Sequence, residues 1–172
     1  MTRSTAAVPA TNVALPAKAT APVPAGPRPT WVAGVTGGVG TRTVARLLAT
    51  QTPSPVSTIG LGPEQHHCDV LVTAVPAAAT RWLPAALTHV SAPPVLVVVH
   101  TVPGGLPSSS RARIRAARAH VAAVVHLPHL RSWLSLDTPP GPGPLPRPAV
   151  RARDELQRAL EQTSTAPTGR NT

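Results

Sequence analysis

Four glycines fall within seven residues, at Gly34, Gly37, Gly38 and Gly40, directly after the apolar run 31–35 and directly before a helical segment opening at Thr41. Glycine in such a turn lets the backbone take positive φ and approach a ligand closely, and the unpaired N–H groups at the start of the following helix attract an anion. Phosphate is the natural guest of that geometry. The residues expected to form the cradle are Gly37, Gly38, Val39, Gly40, Thr41, Arg42 and Thr43, with Arg42 supplying a cation. The competing reading is a tight strand-to-helix turn that uses its glycines for the bend alone and holds nothing.

Other residues of chemical interest are less well arranged. His66, His67, Cys68 and Asp69 stand in a row, and His100, His126 and His129 fall at the ends of apolar runs. Imidazole and thiolate are good zinc ligands, but His66 and His67 are adjacent and no spaced pair accompanies them, so solvated loop histidines are expected and no metal site. Cys68 precedes an expected strand and so faces away from the edge where parallel sheets gather ligands, which argues against a nucleophile. Arg111, Arg113, Arg115 and Arg118 share one expected helix. With Arg131 and the later arginines they could track DNA phosphates, in a salt-sensitive and sequence-blind way, although a solvated basic face explains the same residues. With so few aromatics, stacking on single strands is not expected.

The elements that must position these groups follow from the pattern of apolar runs. Five short runs, at 31–35, 55–59, 69–75, 95–100 and 122–127, are bounded by turn residues and alternate with segments of helical character. Repeated βα units of this kind imply a small, mostly parallel five-stranded sheet flanked by helices, an α/β fold of the P-loop or Rossmann type. Continuous runs such as VLVVV suit strands covered on both faces. Helices are expected at 41–50, at 77–90 with a kink or restart forced by Pro84, and at 109–121. The chain divides into a disordered Ala/Pro-rich arm (1–29), the α/β domain (30–136), a Pro/Gly-rich linker (137–148), an amphipathic helix (149–162) and a disordered tail (163–172). The helix carries Ala149, Ala152, Leu156, Ala159 and Leu160 as an apolar stripe.

The segment TGGVGTRT at 36–43 resembles the deviant Walker A loop of the ParA/MinD family, whose form is KGGVGKTT; Gly37, Gly38, Val39, Gly40 and Thr43 match. Thr36 stands in place of the signature lysine, Thr41 in place of the phosphate-binding lysine, and Arg42 in place of the magnesium-binding hydroxyl. STIGLGPEQ at 57–65 is similar to the family's run ending in DxDPxQ, with Gly60 and Gly62 replacing both aspartates, and Lys18 in the arm is the sole lysine. Phosphoryl transfer relies on magnesium, its carboxylates and a lysine to neutralise the phosphates. The resemblance therefore implies a pseudo-NTPase, an accessory or regulatory protein that holds ATP or another nucleotide without efficient hydrolysis, with magnesium doubtful. It also implies that the loop at 126–129 flanks a base, and that a homodimer is a candidate assembly. The opening at Trp31, GGLPSSSRARIR at 104–115 and HLPHLRSW at 126–133 are similar to an actinobacterial group with comparably degenerate loops.

The same glycines are similar to the TGxxGxxG loop of short-chain reductases, with Ala33 in place of Thr. Such a site needs an acidic or basic residue for the ribose near the end of the second strand, where Gly60 and Gly62 provide neither. The reductase tyrosine is missing too, since the chain has no Tyr. An NAD(P)-binding protein without reductase residues is the alternative, and a basic, sequence-nonspecific DNA-binding accessory protein is the second.

Composition bounds the rest. The 172 residues include 23 Pro and only 2% aromatics, so the core must be built from Val, Leu, Ile and Ala. The net charge of +10 favours polyanionic partners, and the Arg-for-Lys bias fits a GC-rich genome. A lone cysteine allows no internal disulfide and fits a reducing compartment. With no run near the ~18 apolar residues of a membrane span, a cytoplasmic protein is expected.

Overall fold

The computed structural model describes residues 28–50, 54–133 and 144–165. Most of the expected arm, including Lys18, most of the linker and the end of the tail lie outside the described residues. Five strands, β1 (Thr30–Gly34), β2 (Val56–Ile59), β3 (Val70–Ala74), β4 (Val95–Val99) and β5 (Ala123–Leu127), form one sheet in the order β2-β1-β3-β4-β5. Every neighbouring pair is parallel. The α/β architecture expected from the alternating runs is the one observed.

The helices are α1 (Thr41–Ala49), α2 (Ala77–Thr80), α3 (Leu83–Thr88), α4 (Ser108–Ala117) and α5 (Arg147–Thr165). Pro84 divides the expected helix at 77–90. It lies in the first turn of α3, where a missing N–H costs nothing, and Arg81 and Trp82 separate the two pieces. At the far end of α4 the backbone tightens into a 3-10 turn over Arg118–His120, so the α-helical span stops short of the expected residue 121.

Alternation along the strands sorts the core into two layers. Val32, Val70, Val72, Val95 and Val97 face α1 and α5, where Val44, Leu47, Leu48, Ala152 and Leu156 are buried. Ala33, Leu71, Leu96 and Val98 face α3 and α4, which bury Leu83, Ala86, Ile114 and Ala117. β3 is buried along its whole length, as a central strand of a sheet covered on both sides must be. No helix among the described residues is long and apolar enough to cross a membrane.

The connections place the candidate site. From β1 the chain passes through α1 to β2 on one side, then returns across β1 to β3 and continues through β4 to β5 on the other. The direction of winding reverses between β1 and β3, and in doubly wound sheets the crevice outside the carboxyl ends of such a strand pair is where ligands sit. The loop at 35–40 leaves β1 at this point.

Candidate functional site

The glycine loop begins while still attached to the sheet: the Val35 N–H donates to the Val72 carbonyl at 2.9 Å. Gly38 and Gly40 then take left-handed conformations, with φ of 76° and 93°. Gly40 is the residue from which α1 starts; its carbonyl accepts from the Val44 N–H at 3.0 Å, and no side chain caps the helix. The backbone N–H groups of Thr41, Arg42 and Thr43 therefore lack intrahelical partners, as helix geometry requires at a first turn. No acidic residue stands in that turn.

The four glycines divide into two kinds. A Cβ added at Gly34 would lie 2.4 Å from Thr41 Oγ1 and 3.0 Å from Val39 Cγ2, so the protein's own side chains fill that space. Gly40 is required by its φ and backs onto Val99 at the end of β4. By contrast, nothing lies within 4 Å of a Cβ at Gly37 or Gly38, and both are exposed at the crest of the loop together with Thr36. Of the expected cradle, Val39 turns inward and is buried in the core, Arg42 is exposed, and Thr41 and Thr43 are half-buried. What the loop offers to a ligand is its backbone at 36–38 and the amides of the first helical turn.

Among the described carboxylates, Glu64 is exposed in the connection that follows β2. Asp69 precedes β3 at the opposite edge of the sheet, where its Oδ2 accepts from the Trp31 N–H at 2.8 Å and its Oδ1 meets Arg28 at 3.2 Å and His67 at 2.9 Å. Asp154, Glu155 and Glu161 belong to α5. Gly60 and Gly62 occupy the connection after β2, and a Cβ at Gly62 would lie 3.2 Å from His66 Nε2.

Two histidines meet at the carboxyl ends of β4 and β5. His100 Nε2 and His126 Nδ1 are 3.1 Å apart, with ring centroids 5.4 Å apart. Burial pushes the pKa of both rings down; His126 and His129 add to the effect on His100. For His126, Glu155 opposes the shift and Arg118 adds to it. Among the described residues no three His, Cys, Asp or Glu side chains are grouped to hold a metal ion. Cys68 is buried, its Sγ donates to the Val70 carbonyl at 3.0 Å, and burial pushes its pKa up to about 11.

Arg111, Arg115 and Arg118 share an exposed face of α4 and the turn after it, with Arg111 reaching the Leu106 carbonyl at 3.2 Å. Arg113 points elsewhere. Its Nη1 donates to the Ala77 carbonyl at 2.9 Å and to Thr80 Oγ1 at 3.3 Å, while Thr80 donates to Ser110 Oγ at 3.2 Å and Ser110 to the Val75 carbonyl at 2.8 Å. This polar chain, buried at Thr80 and Ser110, locks α2 and α4 to the end of β3. The only hint of it in the sequence is Ser110, one turn before Ile114 on the apolar stripe.

Two clefts went unanticipated by pattern reading, and neither lies at the glycine loop. One, of about 880 Å³, opens at the amino edge among Arg28, His67, Asp69, Gln157 and Glu161. The other, of about 470 Å³, lies between α3 and α4. Comparison of the chain with family models, curated proteins and solved structures gave no match.

Proposed function

We propose that the chain is a catalytically degenerate protein of ParA/MinD type, in which the glycine loop holds a phosphate group of ATP or another nucleotide and does not hydrolyse it efficiently. The observation that carries this reading is the uncapped start of α1, entered through two left-handed glycines at the point where the winding of the sheet reverses. Backbone amides and Arg42 supply the attraction. Cleavage needs more: a lysine on the leaving charge, a hydroxyl and carboxylates on magnesium. Thr36, Thr41 and Arg42 stand where the family places its two lysines and its hydroxyl, and the Asp69 carboxylate is committed at the far edge. Retention of the phosphate rests on the backbone amides and Arg42, and loss of turnover on the substitutions.

The test is a titration of the full-length protein with ATP, GTP and NADPH, each with and without magnesium, followed through the backbone amide resonances of Gly37, Gly38, Gly40 and Thr43. ATP is expected to shift these amides to a similar extent with and without magnesium, with no phosphate release above background. Magnesium-dependent turnover would refute the degenerate assignment. A preference for NADPH would favour a dinucleotide site, and unmoved loop amides at millimolar nucleotide would refute the phosphate site itself.

The exposed face of Arg111, Arg115 and Arg118 supports a second reading, sequence-nonspecific DNA binding by an accessory protein. Retardation of duplex DNA at two salt concentrations tests it. Unchanged mobility in low salt would dispose of it.

A further inference from the structure

The cleft between α3 and α4 is independent of the glycine loop, and it combines three features. Its floor is apolar: Pro84, Leu87 and Val90 on one side face Ala117 on the other. Its volume of about 470 Å³ lies within the range of roughly 300–1,000 Å³ common to small-molecule sites. Its one formal charge is positive, because Arg113 lines it and no Asp or Glu does.

Arg113 is the informative residue. The residue as a whole is half-buried, and no carboxylate among the described residues pairs with it. The two bonds it makes within the protein, to Ala77 and Thr80, both leave from Nη1. A guanidinium offers five donors in a fixed fork, so the remaining edge is equipped for an oxyanion. A cation with no counter-charge among the described residues, lining an apolar cleft, is the reverse image of a molecule with an apolar body and one anionic end.

We propose that this cleft binds a small amphiphilic anion, its apolar part on Leu87 and Val90 and its carboxylate or sulfonate on Arg113. Val90 leads from α3 towards β4, and His120 stands in the turn leading to β5, so the cleft opens towards the sheet's amino edge. The glycine loop is at the carboxyl edge. Occupancy of one site therefore does not require the other.

Sodium decanoate, decanol and decyltrimethylammonium, below their micellar concentrations, test the proposal by amide shifts in the full-length protein. Decanoate is expected to give saturable shifts at Leu87, Val90 and Ala117, decanol to bind about tenfold more weakly, and the ammonium compound not to compete. Ala116 lines the cleft and is exposed, so Ala116→Phe fills the space without entering the core and is expected to abolish saturation. Arg113→Gln is expected to weaken decanoate about tenfold while leaving decanol unchanged; should that variant not fold, Ala116→Phe decides. Absence of saturation, equal binding of decanoate and decanol, or retained binding in Ala116→Phe would overturn the proposal. Shifts of the same amides with protein concentration alone would overturn it as well, because the cleft would then be an interface between copies of the chain.

Discussion

Thr41 sets its hydroxyl oxygen into the space that a side chain at Gly34 would need, 2.4 Å from where a Cβ would stand. The first helical turn thus folds back over the last residue of β1, and the requirement for glycine there comes from packing. In Gly34→Ala the Thr41 hydroxyl can rotate away, but Val39 Cγ2 at 3.0 Å and the Thr36 carbonyl at 3.1 Å still crowd the new methyl. A loss of about 1–3 kcal/mol is expected in denaturant unfolding. Thr41→Ala alone should cost less than about 1 kcal/mol, and in the double variant it should restore part of the loss but not all. Strict additivity of the two changes would show that Thr41 is not the atom in the way.

The His100–His126 contact makes stability depend on pH. Burial is the largest cause of the lowered pKa of each ring, so the unfolded chain binds more protons than the folded one once pH falls below the ordinary imidazole value of 6.5. The sign follows directly: the contribution is fully present above 6.5 and is lost as pH falls through the folded-state values. His126→Gln is expected to flatten the slope of stability against pH in that window and to leave stability at pH 8 less affected. The two rings are in contact and should titrate as a pair with two apparent values, both readable from imidazole proton shifts. A pair titrating together at 6.5 or above would contradict the geometry.

Cys68 should be chemically silent in the folded protein. With a pKa pushed up to about 11 and the residue 1% exposed, almost no thiolate is present at pH 8, and little of it is reachable. Reaction with Ellman's reagent is expected to be slow in buffer and immediate in denaturant, at one thiol per chain. Rapid labelling of native protein would mean that the start of β3 opens readily.

Pattern reading recovered the sheet because its signal is local: a short, β-branched, uninterrupted run such as 95–99 suits a strand covered on both faces, and Pro84 announces a break in any helix that contains it. The glycine loop was equally legible as a turn between strand and helix. Its interior was not. Whether a glycine serves a ligand or a neighbouring side chain depends on contacts such as Thr41 on Gly34, or Val99 behind Gly40, which join atoms across a turn or between distant strands. Arg113 shows the same gap. Its sequence neighbours place it among basic surface residues, and only the docking of α4 against α2 and α3 turns it inwards.

Thr73 is buried at the middle of the sheet, in register with Val98, and its Oγ1 has no hydrogen-bond partner among the described residues. A hydroxyl taken out of water without a partner costs about 1–3 kcal/mol. Valine keeps the β-branch that suits the strand and replaces the hydroxyl by a methyl of similar size. Thr73→Val is therefore expected to stabilise the protein by about 1 kcal/mol, which for a domain of roughly this size raises the melting temperature by about 4 °C. A lower melting temperature would mean that the hydroxyl has a partner in solution, such as an internal water, and that the centre of the sheet is wetter than its apolar composition implies.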